Sequence, residues 1–404
     1  MADRNADLVA RAKQVFTPNY APAEIVLDRG EGVYLFDVEG RRYLDMVGGI
    51  AVSALGHNHP ALIGAIEAQI HRVLHLSNLY YSRPALELAE RLVASAFGDR
   101  IFFCNSGTEA IEASVKLARR YAYDRGETER TEIISFEHSF HGRTYGALAA
   151  TAQPKYQEGF GAMLPGFTWL PVGDFAALEA AVSRKTAAVL IEPIQGEGGV
   201  NVPPSGFLAA CRRATERAGA LLIFDEIQTG IGRTGRLFAH EHEAVTPDLM
   251  ALAKGLGGGL PIGAVVARAD VGASLAVGRH GTTFGGNPVA CAAGCAVMDH
   301  VNAPEFLAHV AQVGERLRAG LTEMAVSTGA FKDVRGRGLL VGAELSDDAP
   351  FSSADVVKRA RGHGVLLHVA GPRVVRFVPP LVIDSAQVDE ALAAVGATLS
   401  ELVG

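Results

Sequence analysis

Between residues 100 and 270 the chain alternates short, nearly continuous apolar runs with amphipathic stretches. That alternation restricts the fold more than any other feature. The runs fall at 100–104, 132–136, 168–171, 187–191, 221–224, 249–251 and 263–267. Strands apolar along their whole length need cover on both faces, and parallel strands need crossover helices to connect them. The amphipathic stretches at 110–123 and 206–218 have the pattern of such helices. An α/β fold follows, with a large domain built on a mainly parallel, seven-stranded sheet.

The two ends of the chain read differently. Gly32-Val33-Tyr34-Leu35-Phe36-Asp37 and Arg42-Tyr43-Leu44-Asp45 flank Glu39-Gly40, a hairpin signature. After Pro288 a long helical pattern begins. Strands are expected at 338–344, 365–369 and 374–378, and a terminal helix from about Ser385. Both ends are expected to join in a smaller α/β lobe. The expected division is 1–55 for its N-terminal segment, 56–290 for the large domain and 291–404 for the C-terminal small domain.

A chain of 404 residues, 49% hydrophobic and 20% charged, has the composition of an ordinary globular protein with a large core. Its net charge of −7 argues against general nucleic-acid binding. Cys104, Cys211, Cys291 and Cys295 form no disulfide framework, and the last two have the spacing of one helical face. The first 16 residues are charged and lack the apolar core of a secretory signal. No run approaches the ~18 apolar residues that span a bilayer. A cytoplasmic location without membrane attachment is expected.

The run Leu221-Leu222-Ile223-Phe224 ends in Asp225-Glu226, so it delivers a carboxylate at the C-terminal edge of a buried strand. Open α/β sheets bind ligands at that edge. Lys254 follows in Ala253-Lys254-Gly255, among small and apolar neighbours that can desolvate its amine into a nucleophile. Pyridoxal phosphate needs both groups: its aldehyde condenses with a lysine, and a carboxylate keeps its ring nitrogen protonated. A structural strand-end acid and a surface lysine also account for this pair taken alone. Asn105-Ser106-Gly107-Thr108-Glu109-Ala110 joins a strand to a helix, where hydroxyls and free N–H groups suit a phosphate and equally form an ordinary helix cap. In His141-Gly142-Arg143-Thr144 the arginine suits a carboxylate, with Phe140 placed to cover a planar ring; a loop with a solvated arginine is the alternative. Glu192-Pro193-Ile194-Gln195-Gly196-Glu197-Gly198-Gly199 ends another strand, as a shaped site loop or a simple turn.

Two patterns are discounted. Gly230-Ile231-Gly232-Arg233-Thr234-Gly235 spells a dinucleotide fingerprint, yet neither the strand nor the helix stands in the required position. His57-Asn58-His59 has no third metal ligand nearby and reads as a turn before Pro60.

Taken in order and spacing, the motifs at 105–110, 140–144, 192–199, 225–235, 254–263 and 281–288 resemble those of class III pyridoxal-phosphate aminotransferases over essentially the whole chain. Within the class, Gly48-Gly49-Ile50-Ala51-Val52, Phe103-Cys104-Asn105-Ser106-Gly107 and 280–288 are most similar to acetylornithine aminotransferases. The resemblance implies fold type I, pyridoxal 5'-phosphate, and a homodimer with shared active sites. It implies Lys254 as the covalent attachment point and Asp225 as partner of the ring nitrogen, with Glu226, Ile227 and Gln228 alongside. Phe140 is expected to stack on the ring. Ser106, Gly107 and Thr108 are expected around the phosphate, with Thr283 arriving from the other subunit. For substrate it implies Arg143, Thr282, Tyr20 and a switchable pair, Glu197 and Arg376.

The activity implied is transfer of the δ-amino group of N2-acetylornithine to 2-oxoglutarate, a step of arginine biosynthesis. The same scaffold serves succinylornithine, ornithine, 4-aminobutyrate and succinyl-diaminopimelate, and aminomutases share the motifs. Ile50 stands where ornithine enzymes are expected to carry an aromatic residue. A cofactor-binding regulator without turnover is the non-enzymatic alternative, disfavoured by the joint presence of Lys254, Asp225, Gln228 and Arg143.

Overall fold

Strand Leu221–Asp225 occupies the middle of a seven-stranded sheet in a computed structural model that describes residues 4–403. The spatial order is Arg100–Cys104, Gly263–Ala267, Leu249–Leu252, Leu221–Asp225, Thr186–Ile191, Glu132–Phe136 and Phe167–Leu170. Neighbours run parallel except around Gly263–Ala267, which is antiparallel to both of its partners.

Both faces of this sheet are covered, and alternation along the strands divides them. Ala188, Leu190, Ile223, Ala251 and Val265 pack on one side with Ala110, Ile111, Ala113 and Leu117 of helix Gly107–Asp124. Val189, Ile191, Leu222 and Phe224 pack on the other with Phe207, Leu208, Cys211 and Ala214 of helix Phe207–Ala218. Each valine, leucine, isoleucine and phenylalanine among them contributes about 1.5–3 kcal/mol when fully buried. A strand with a polar face would forfeit one of these layers, hence the continuous apolar runs.

The chain ends meet as expected. Tyr34–Asp37 and Arg42–Asp45 pair antiparallel, and Val365–Leu366 adds to the second of them in parallel register. A second small sheet has the order Phe331–Arg337, Leu340–Leu345, Val374–Phe377, His368–Val369. Several boundaries differ from the sequence reading. The single strand expected at 365–369 is two short strands serving different sheets. Strand Phe331–Arg337 has a mixed exposure pattern and was not expected. The long helical pattern after Pro288 is two helices, Pro288–Val301 and Pro304–Thr328, because Pro304 bars a continuous hydrogen-bond ladder and starts its own helix. The first three residues of the expected N-terminal segment and Gly404 lie outside the described residues. Among the described residues no helix is long and apolar enough to cross a membrane.

Arg233 ties these parts together. It is 2% exposed, and its Nη1 donates to the Leu339 carbonyl at 3.1 Å and to that of Pro379. Burial pulls its pKa down to about 9, against the opposing attraction of Asp45. Nearby, helix Pro304–Thr328 meets the turn at Gly338 through Gly314, where a Cβ would stand 2.2 Å from the Gly338 carbonyl oxygen. Gly314→Ala is therefore expected to destabilise the fold by about 1–3 kcal/mol. Gly396, inside helix Ser385–Val403 with its nearest neighbouring atom at 4.0 Å, is expected to show the opposite sign. Gly396→Ala should stabilise by about 0.5–1 kcal/mol. Paired thermal melts test both, and a Gly314→Ala melt equal to wild type refutes the close approach.

Candidate active site

The carboxyl edge of the sheet opens into a cavity of about 420 Å³. Asp225, Lys254, Glu192, Phe140, His141, Arg143, Gln228 and residues 105–108 are among its lining. Strand Leu221–Asp225 brings Asp225 there at 3% exposure. One of its oxygens accepts the Ile227 N–H at 3.0 Å, and the other lies 2.7 Å from His141 Nδ1. Among the described residues the Nε2 of His141 is buried without a hydrogen-bond partner.

Lys254 follows strand Leu249–Leu252 at the start of a short 3-10 turn, with a left-handed φ of 42°. Such backbone is strained for a residue with a side chain and recurs at functional sites. Burial pulls the pKa of its amine below the usual lysine value, and Arg376 adds to the effect; Glu197, Asp225 and Glu192 oppose it. Glu192 is pushed well above the usual carboxylate range, first by burial and then by the charge of Asp225. Its oxygens accept the Phe140 N–H at 3.1 Å and the Gly196 N–H at 3.3 Å.

Beyond Gln228 sits a closed ion pair. Arg376, fully buried, donates from Nη1 to Glu197 at 2.6 Å and from Nη2 to its other oxygen at 3.3 Å. Gln228 bridges them, donating to Glu197 at 3.1 Å and accepting from Arg376 at 3.0 Å. Burial alone would raise the Glu197 pKa, but Arg376 and Lys254 outweigh it and bring it to about 2. A depressed carboxylate stabilises the fold above its unfolded value of 4.5, and that contribution is lost as pH falls toward 2.

The 105–108 loop opens the 18-residue helix Gly107–Asp124, whose first turn is capped by Ser106 accepting from the Glu109 N–H at 3.3 Å. Thr108 Oγ1 lies 2.9 Å from that of Thr144 and accepts from the Arg143 and Thr144 N–H groups at 3.3 Å. This close approach requires Gly142, where a Cβ would fall 2.3 Å from Thr108 Oγ1. At Gly107 a Cβ would strike Ile227 Cδ1 at 2.8 Å.

These features fit pyridoxal phosphate. A helix N-terminus with hydroxyls stands for the phosphate, a carboxylate for the ring nitrogen, and an amine of lowered pKa for the aldehyde, around one cavity of suitable size.

Not every expected residue is on the wall. Glu226, one residue past the end of strand Leu221–Asp225, has its carboxylate engaged elsewhere. It accepts from Thr229, the Ala239 N–H, and both the N–H and the ring of His240 at 2.7–3.0 Å. Its side chain does not line the cavity. Tyr20 is 82% exposed and away from the cavity. Thr282 accepts from the wall residue Asn105 at 3.1 Å, whereas Thr283 is exposed beside Tyr80 and Phe284 in a separate surface cleft. The sequence motifs contain His141 and Glu192 without assigning either a role, yet both line the cavity. Their signal was position: each lies at or just beyond the C-terminal edge of a sheet strand, as Asp225 does.

A base with a lowered folded pKa destabilises the fold below that pKa, and the penalty fades as pH rises toward the usual 10.5. Cofactor-free Lys254→Met is therefore expected to melt above cofactor-free wild type at pH 7. The gap should narrow as pH approaches 10, and equal melting temperatures at pH 7 would refute a desolvated amine.

Known proteins are similar to this chain over nearly its whole length. The family described as Aminotransferase class-III matches residues 15–399. An acetylornithine aminotransferase of Neisseria meningitidis serogroup A is 48% identical over 387 residues, covering 95% of this chain and 97% of the relative. A succinylornithine transaminase/acetylornithine aminotransferase of Pseudomonas aeruginosa is 47% identical over 386 residues, covering 96% and 95%. The crystal structure of the ornithine aminotransferase from Toxoplasma gondii superposes with a TM-score of 0.94 at 34% identity, covering 98% of this chain and 95% of that one. The chain belongs to the class-III aminotransferase family.

Proposed function

We propose that the protein transfers the δ-amino group of N2-acetyl-L-ornithine to 2-oxoglutarate, yielding N-acetyl-L-glutamate 5-semialdehyde and L-glutamate, in the cytoplasm and within arginine biosynthesis. The observation that carries this reading is the closed Glu197–Arg376 pair beside a cavity that also holds Arg143, whose side chain is unpaired among the described residues. A δ-amine substrate keeps its α-carboxylate several bonds from the reacting carbon, so it needs one distant cation and a neutralised near one. A substrate reacting at its α-carbon brings a second carboxylate close and needs the near cation free. One pocket serves both when Glu197 closes over Arg376 for the first and releases it for the second.

Pyridoxal phosphate, when bound, supplies an aldehyde for the amino group and a sink for the electrons released when a C–H proton leaves. Ser106, Gly107 and Thr108 hold the phosphate in this reading, and Phe140 covers the ring. Asp225, oriented by His141 and the Ile227 N–H, keeps a proton at the ring nitrogen. Lys254 is the attachment point. Its lowered pKa favours the neutral amine that can take the proton from the carbon bearing the reacting nitrogen. Arg143 receives the α-carboxylate of acetylornithine or the distal carboxylate of the dicarboxylic substrate.

A homodimer with shared sites belongs to the same reading, with Thr283 reaching the neighbouring phosphate. Leu79, Tyr80, Tyr81 and Phe284 support it: they are 60–103% exposed around the cleft lined by Thr283, an apolar surface that a monomer rarely leaves open. The division of the chain near residues 55 and 290 is part of the proposal.

Succinylornithine is the second reading, favoured by the double name of the Pseudomonas aeruginosa relative at 47% identity. Steady-state kcat/KM for acetylornithine, succinylornithine, ornithine and 4-aminobutyrate tests the choice. Acylated ornithine is expected to exceed both free amines by about tenfold or more; a preference for ornithine or 4-aminobutyrate overturns the proposal. The switch has its own test. Glu197→Ala leaves Arg376 uncovered, and breaking a desolvated pair costs about 2–5 kcal/mol. Stopped-flow measurement is expected to show acetylornithine transamination slowed more than tenfold, with the glutamate half-reaction little changed or faster. Equal loss in both half-reactions would mean that Glu197 only shapes its glycine-rich loop.

A further inference from the structure

We propose that Tyr156 is a positioning residue that seats the Arg143 guanidinium for carboxylate binding, and thereby sets the affinity of the pocket for both substrates. This rests on the reading of Arg143 as the distal carboxylate site.

Among the described residues the Arg143 side chain has no ion pair and no hydrogen bond, although it lines the cavity beside Asp225, Glu192 and Lys254. Two aromatic faces hold it instead. Its Cζ stands 3.7 Å from the centroid of the Tyr156 ring and 5.6 Å from that of Phe140. The two rings meet edge to face, with centroids 6.1 Å apart at 85°. Contact with a ring face engages the π surface of a guanidinium and leaves its in-plane N–H donors unspent, the edge that a carboxylate takes bidentately. A carboxylate partner in place of Tyr156 would fix the same position but occupy those donors.

The seat is built, not incidental. Tyr156 ends the 3-10 turn Pro154–Tyr156, where its N–H donates to the Gln153 carbonyl at 3.0 Å. Gln153 in turn donates to the Ser139 carbonyl at 2.9 Å, and Gln157 donates to the carbonyls of Leu148 at 2.9 Å and Thr151 at 3.2 Å. Those bonds fasten the turn to the segment that carries Phe140, His141 and Arg143. Lys155 adds a second cation, 4.8 Å from the same ring. Without the ring the long arginine side chain would sample many rotamers, and each carboxylate bound would have to order it again.

Glutarate, a five-carbon dicarboxylate with no amino or keto group, reads the site without turnover. Its dissociation constant from the cofactor-loaded enzyme is measured by titration calorimetry for wild type, Tyr156→Phe, Tyr156→Leu and Arg143→Ala. Tyr156→Phe keeps the π face and is expected to match wild type. Tyr156→Leu is expected to weaken glutarate by about 3- to 30-fold. KM for both substrates should rise by a similar factor while kcat changes less, with melting temperature and cofactor affinity preserved. If Arg143→Ala weakens glutarate and Tyr156→Leu does not, the seat is refuted and the Arg143 reading stands. If neither weakens it, the Arg143 reading fails and the seat fails with it. Equal weakening by Tyr156→Phe and Tyr156→Leu would refute the π contact as the cause.

Discussion

Desolvation at the carboxyl edge of the sheet governs this protein. Five ionisable groups, Glu192, Glu197, Asp225, Lys254 and Arg376, share a region enclosed by apolar strands, and none can keep its charge there without a local reason. Each resolves the problem differently. Arg376 and Glu197 neutralise one another at 2.6 Å. Asp225 takes an amide N–H and a histidine ring, which orient and support its charge. Glu192 has two amide donors, yet burial beside Asp225 still drives it toward the protonated form. Lys254 is pulled toward the neutral amine that transamination needs.

In the proposed reading, the same constraint lets the pocket discriminate by charge. A buried ion pair has a small net stability because desolvation offsets much of its attraction, whereas breaking it with one partner left buried is expensive. On that reading, a substrate carboxylate that replaced Glu197 on Arg376 would offset that cost, and a substrate without one would not. Gln228 makes the exchange local: it hydrogen-bonds both members and lies on the cavity wall, so movement of Glu197 need not disturb the sheet. Arg143 differs: among the described residues its guanidinium has no hydrogen bond or ion pair and lies over the Tyr156 and Phe140 rings, which leave its donors free.

Much of this architecture was legible in the sequence. The seven apolar runs became seven strands, and the inner ones are buried along their length, where a polar face would have no partner. Helix Gly107–Asp124 followed from its cap and its periodicity. Asp225 and Lys254 were recognisable because each stands at the end of a buried run, where its environment is encoded by neighbours in the chain. The errors also have local causes. Pro304 divided one helical pattern, and 365–369 was assigned to one strand although Leu367 separates pieces bound to different sheets.

The sequence by itself therefore determined the strands, the carboxyl edge and the residues delivered to it, since these depend on hydrophobic pattern and turn chemistry within a few residues. Tertiary structure decided who meets whom. His141 reaches Asp225 across 84 positions and Asn105 reaches Thr282 across 177, and the Arg376–Glu197 pair across 179 was expected only from the family resemblance. Such pairs leave no periodic or local trace. Only the fold could turn Glu226 away from the site while its neighbour Asp225 faces it, through partners at Ala239 and His240 that lie 13 and 14 residues on. It also made Arg233, which sits in a misleading glycine pattern, the buried tie between the large sheet's loops and the C-terminal segment. A side chain's charge state and its role are set by the dielectric and the partners around it, and those exist only once the chain has folded.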